Sequence, residues 1–141
     1  MTRRRRAEAA AALVEFALVW PIALLIVFAT VEAAVWSAEA YAARAASLAG
    51  ARAGSIAGGT SAVASEVARR TLSAGLVGAE AAVWCPGGPR PAPAVWVCAV
   101  DLGPAIEVDV GGSAPALVPL VAGGGLPLHA HVVMQKERFS A

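Results

Sequence analysis

Glu15 is a carboxylate near the start of a long apolar stretch, Ala9–Ala38, which follows directly on Arg3-Arg4-Arg5-Arg6. An ionised side chain inside an apolar helix costs roughly 2.5–3.5 kcal/mol on insertion scales, so Glu15 calls for a cationic partner or a task. Two cysteines, Cys85 and Cys98, lie far beyond that stretch. In an exported domain an even count points to a disulfide, with two buried free thiols as the alternative. Neither a CxxC motif nor a Cys/His zinc spacing is present. His129 and His131 would share one face of a strand, which suits a metal, but no third ligand stands near them in sequence. They read as ordinary strand histidines. Asp101, Glu107 and Asp109 raise the idea of paired carboxylates or a calcium site. Their alternation with apolar residues reads better as the wet face of a sheet. No serine sits in a GxSxG motif, and Gly123-Gly124-Gly125 is not followed by GK[ST]. The sequence therefore leads to no enzyme, no metal and no cofactor.

The elements that would position these residues follow from composition and pattern. The 141 residues allow one membrane segment and one small domain. Hydrophobic residues make up 58% of the chain, but 36 of them are alanine, which buries little area. No later stretch reaches about 18 apolar residues without Gly, Pro or charge, so a second span is not expected. Four of the eleven basic residues precede residue 7, whereas seven acidic and seven basic residues follow Trp36. The outer part is thus neutral, without a nucleic-acid footprint. The arginine cluster beside an apolar span reads as a topology signal that keeps the N-terminus in the cytoplasm.

From Glu8 to about Ala57 good helix formers dominate, with Pro21 the single proline. One helix of that length would measure roughly 75 Å, well beyond the ~30 Å hydrocarbon layer, so its second half stands outside the membrane. Pro21 removes one backbone hydrogen bond and is expected to kink the helix. Trp20 and Trp36 suit the two interfaces. Past Trp36, Tyr41, Ala45, Leu48 and Ile56 repeat at helical spacing as a candidate inward stripe, with Arg44 and Arg52 on a wetter side. Gly58-Gly59-Thr60-Ser61 breaks the helix, and Thr60 or Ser61 caps a second one with a stripe of Val63, Val67, Ala68 and Leu72. Gly75 and Gly78 mark its end.

The texture then turns to strands. Ala81–Cys85 and Ala94–Leu102 are expected to pair antiparallel around the loop Pro86-Gly87-Gly88-Pro89-Arg90-Pro91, which would bring Cys85 and Cys98 together. Ile106–Val110 and Leu128–Glu137 complete a small antiparallel sheet of three or four strands. A Gly/Pro-rich loop, Gly111–Pro127, with the apolar run Leu117–Val121, joins them. The fold class is α+β. Its divisions are a basic leader (1–10), a transmembrane half-helix (11–36), an extracytoplasmic half-helix (37–57), a second helix (60–78) and a small β domain (79–141).

The segment Ala11-Ala12-Leu13-Val14-Glu15-Phe16-Ala17-Leu18-Val19-Trp20-Pro21 resembles the small-small-Leu-Val-Glu-Phe-Ala-Leu-Val-x-Pro signature of the TadE-like family. That family belongs to the tight-adherence (Tad/Flp) pilus system and is type IV pilin-like. Val31-Glu32, the Ala/Arg-rich continuation to Arg52 and the closing strand Val132–Phe139 add to the resemblance, which is specific over about 45 N-terminal residues. It implies a prepilin peptidase cut between Ala10 and Ala11, leaving Glu15 as the fifth mature residue. Ala10 stands where the family usually has glycine. It further implies that Glu15 and Phe16 serve assembly with other pilin-like subunits. The physics agrees, because a cut after Ala10 creates a cationic amine one helical turn from Glu15.

Three functions follow as expectations. The first is a non-catalytic minor pilin or pseudopilin, single-pass in the cytoplasmic membrane with its C-terminal domain outside, or carried into an extracellular pilus. The second is a small secreted protein cut after Ala38-Glu39-Ala40, an A-x-A-like signal-peptidase site. The third is a single-pass membrane protein with a small exported binding domain.

Overall fold

A computed structural model describes residues 2–88, 90–117 and 124–137, with side chains from Leu13 onward. The element order is α1 (Thr2–Ser55), α2 (Ser61–Ser73), β1 (Ala81–Val83), β2 (Val95–Asp101), β3 (Ala105–Pro115) and β4 (Gly125–Gln135). Contacts divide the chain into two compact units, residues 1–34 and 35–141. The α+β class holds: a long apolar N-terminal helix, a short second helix and a small sheet. Helix α1 starts earlier than the sequence pattern indicates, since the arginine leader is itself helical, and it continues without a break through Pro21. The run Leu117–Val121 and the end of Val132–Phe139 lie largely outside the described residues.

In the second unit α1 packs through its small side chains. Ala43, Ala46, Ser47, Gly50, Ala51 and Gly54 are buried, whereas Tyr41 is 75% and Ile56 54% exposed. The stripe drawn through Tyr41, Ala45, Leu48 and Ile56 is therefore not the packing face. The reason is the separation between backbones. A Cβ added to Gly50 would lie 2.7 Å from the Ala64 carbonyl oxygen and 2.8 Å from the Ala68 Cβ. At that distance only hydrogen or methyl fits, so the large residues are left on the outside. Helix α2 answers in kind. It buries Ala64, Ser65, Ala68 and Leu72 and leaves Val63 exposed. Its stripe is thus turned by about one position from the valine-based expectation. Thr60 is the N-cap, its hydroxyl accepting from the Val63 N–H at 3.2 Å. The helix stops at Ser73, before Gly75 and Gly78, with Ala74 as C-cap.

The sheet order is β1-β2-β3-β4. β2–β3 and β3–β4 are antiparallel, but β1 runs parallel to β2, pairing Ala81 with Val95 and Val83 with Val97. This corrects the expected β1–β2 hairpin. Residues 84–94 form the crossover, close to the dozen residues a parallel connection needs. Pro91 and Pro93 have no N–H to give a ladder, and β1 stays a three-residue edge strand.

Gly111–Pro115 is strand rather than loop, because β3 keeps pairing with β4 out to Pro115↔Gly125. Two glycines make this feasible. Gly111 leaves the space occupied by the Trp96 indole, and Gly112 has φ +123°, where a Cβ would run into the Ala94 carbonyl. One sheet face carries the core residues Val95, Val97, Ile106, Val108, Val110 and Leu128, together with α1 and α2 residues Ala46, Ala64 and Leu72.

Cys85 and Cys98 are bridged, with Cα atoms 4.8 Å apart. Trp84 N–H donates to the Val97 carbonyl at 3.0 Å, which continues the parallel pairing and lays Cys85 beside Cys98. The bridge closes a sequence separation of 13. A loop of that size contributes about 3 kcal/mol by restricting the unfolded chain. Thermal melts with and without reductant are expected to differ by roughly 12–24 °C for a domain of about 100 residues. An unchanged midpoint would mean that the bridge adds nothing to the folded domain.

Candidate functional site

Among the described residues, one helix, near the N-terminus, is long and apolar enough to cross a membrane, which fits a single-pass protein. Its apolar part is exposed on every side: Phe16 is 63% and Leu18 68% exposed, with Val14, Val19, Leu25 and Ile26 similarly open. A helix of this kind is greasy all round and suited to lipid or to other helices. Phe16 and Trp20, one turn apart, stack with ring centroids 5.7 Å apart. Glu15 lies on this exposed segment, and no other ionisable residue occurs between Leu13 and Val31. Glu15 and Glu32 are 17 residues apart, about 26 Å along a helix, close to the thickness of the hydrocarbon core. The two carboxylates thus bracket a charge-free stretch from Phe16 to Val31. Ala10 and Ala11 fall on the helical backbone of α1, and their side chains lie outside the described residues, as do those of Arg3–Arg6.

Further along α1, Glu39 is buried, 2% exposed, and its carboxylate accepts the Val77 N–H at 3.0 Å. This contact holds the turn after α2 against α1, where Gly75 sits on Ala42. Glu39 was counted from sequence as one of several exported charges. Nothing local distinguishes it, because its partner is a backbone group 38 residues away. Ala38-Glu39-Ala40 is therefore helical and anchored rather than an accessible extended stretch. Trp36, expected at an interface, donates its indole N–H to the Pro127 carbonyl at 3.1 Å.

The structure separates three acidic residues that look alike in sequence, Asp101 from Glu107 and Asp109. Asp101 is the last residue of β2 and stands opposite the core residue Ile106, so it does not share the face of Glu107 and Asp109. It accepts the Gly103 N–H at 2.9 Å and pairs with Lys136 at 2.5 Å, and these two contacts, Lys136 foremost, hold its carboxyl below the usual range. Glu107 and Asp109 instead meet His131 on β4. The His131 Nδ1–H donates to Asp109 Oδ1 at 2.7 Å, and Glu107 Oε1 lies 3.6 Å from the same nitrogen. The hydrogen bond to Asp109 raises the imidazole pKa above its ordinary 6.5, against a smaller opposing effect of desolvation. His129 shares the strand face with His131, opposite Gly111. Sequence reading placed these residues on wet strand faces but could not join them, because the join depends on the β3–β4 register.

No curated protein and no solved structure matches the chain. Residues 10–52 match the family model described as TadE-like protein, less than a third of the chain. That match covers the apolar helix and Glu15 and continues into the alanine- and glycine-rich face that packs on α2. The resemblance read from Ala11–Pro21 is thus supported over residues 10–52, where the N-terminal helix is similar to the TadE-like family.

Proposed function

We propose that this chain is a minor pilin or pseudopilin-like component of Tad (Flp) pilus assembly, structural and non-catalytic. The TadE-like match over residues 10–52 carries the reading. A helix apolar on all sides supports it, because such a helix can shed lipid for the helices of neighbouring subunits. The arginine cluster Arg3–Arg6 stays in the cytoplasm and the disulfide-bridged domain stands outside. A prepilin peptidase cuts between Ala10 and Ala11, where alanine, the next smallest residue, takes the place of glycine. The new amine then lies one turn from Glu15, and the carboxylate pairs with it or with that of a neighbouring subunit. In a low-dielectric setting such a pair sets the axial register between packed helices. The partners are therefore the membrane, other pilin-like subunits and, transiently, the peptidase.

Secretion with removal of everything up to Ala40 is the less favoured reading. It would cut α1 beside buried Glu39 and discard the Trp36 contact with Pro127. Intact mass spectrometry of the native protein separates the readings. A start at Ala11 is expected, whereas a start at Tyr41 would replace this reading with a secreted protein. A start at Met1 or Thr2 would leave a plain membrane anchor.

A further inference from the structure

We propose that Glu107, Asp109 and His131 bind a divalent transition cation of the zinc class on the open face of the sheet. The three residues stand on adjacent strands in fixed register. Asp109 pairs with His131, and Glu107 lies two residues along β3 on the same face. One ligand atom from each falls within 4.8 Å of the other two. Metal bonds of about 2.0–2.2 Å at tetrahedral angles put ligand atoms roughly 3.3–3.5 Å apart. His131 Nδ1 and Glu107 Oε1 are already 3.6 Å apart. His131 Nδ1 and Asp109 Oδ1 are at 2.7 Å, a hydrogen-bond distance. Replacing that proton with a metal requires the pair to open by less than about 1 Å, which side-chain rotation supplies without moving either strand.

The donor set selects the ion. One imidazole with two carboxylates suits zinc and its neighbours, whereas calcium takes six to eight oxygens and magnesium keeps most of its waters. Two carboxylates balance the charge of a dication. Both cysteines are committed to the disulfide, so no thiolate within the chain competes for the metal. All three side chains are part-exposed, which allows the ion to enter. Three protein ligands leave a fourth position for water or a donor from another molecule. This inference does not depend on the pilus reading.

The test uses the full chain in detergent micelles, stripped of metal and titrated with zinc chloride alone by isothermal calorimetry. One ion per chain with micromolar affinity is expected. His131→Ala and Asp109→Asn should each weaken binding by roughly tenfold or more, while His129→Ala changes it by less than about threefold. Circular dichroism establishes that each variant is folded. Should Asp109→Asn fail to fold, Glu107→Gln replaces it with the same expectation. Absence of saturable binding up to about 100 μM zinc, an affinity near −5.5 kcal/mol, would overturn the proposal. So would His131→Ala binding as the parent does, or loss of binding in His129→Ala alone.

Discussion

Glu15→Ala is expected to leave the protein in the membrane and to remove it from the assembled complex. Insertion depends on the apolar stretch and the arginine cluster, and taking out the one carboxylate between Leu13 and Val31 makes that stretch more apolar. The insertion cost falls by roughly 2.5–3.5 kcal/mol. Assembly responds in the opposite direction. Removing one partner of a charge pair in a low-dielectric setting costs about 3–5 kcal/mol, because the remaining amine is buried without a counter-charge. This corresponds to a loss of roughly two to four orders of magnitude in incorporation. Membrane fractionation and co-purification with the other pilus subunits provide the two readouts. Glu15→Gln keeps the shape and a hydrogen-bonding group but no charge, so it should fall close to alanine. Normal co-purification of both variants would eliminate the ion-pair role, leaving a carboxylate that merely reaches the interface.

Gly50→Leu should unfold the domain's helix–helix seam. The position is crowded by atoms that cannot yield, since the Ala64 carbonyl belongs to the α2 backbone and the Ala68 Cβ is fixed to it. Overpacking typically costs 1–3 kcal/mol, and a leucine here forces the helices apart along a seam built of methyls and hydrogens, so about 3 kcal/mol is expected. The gain in helix propensity from losing glycine, about 1 kcal/mol, does not offset it. For a domain of this size the melting midpoint should fall by roughly 12–24 °C. Arg52→Leu is the matched control: it adds leucine to the same helix at an exposed position and should move the midpoint little. Equal melting of the two variants would show that the close approach of α1 and α2 is not what holds the domain.

The same seam shows where sequence reading succeeds and where it stops. The position of the apolar segment, the break at Gly58, the Thr60 cap and the pairing of Cys85 with Cys98 all follow from local properties of the chain. Hydropathy decides the first, backbone conformation the second and third, and the even count of two cysteines the last. The cysteine pairing agrees with the sequence although the strand direction around it does not: in the parallel register the Trp84 N–H reaches the Val97 carbonyl, which lays Cys85 beside Cys98. The buried face of α1 is not the one its large apolar residues mark. Large apolar residues draw the eye to a stripe, but Tyr41 and Ile56 are excluded where backbones approach to methyl distance, and alanine carries no signal of its own.

The sequence by itself determined that a greasy helix with one early carboxylate leads into a small bridged α+β domain. That information is one-dimensional: residue type, spacing and order are enough to state it. Only tertiary structure decided that β1 lies parallel to β2, that Glu39 closes on Val77, and that Asp109 stands opposite His131. Each of these joins residues far apart in the chain through register or close packing. A shift of one residue along a strand would turn every such side chain to the other face.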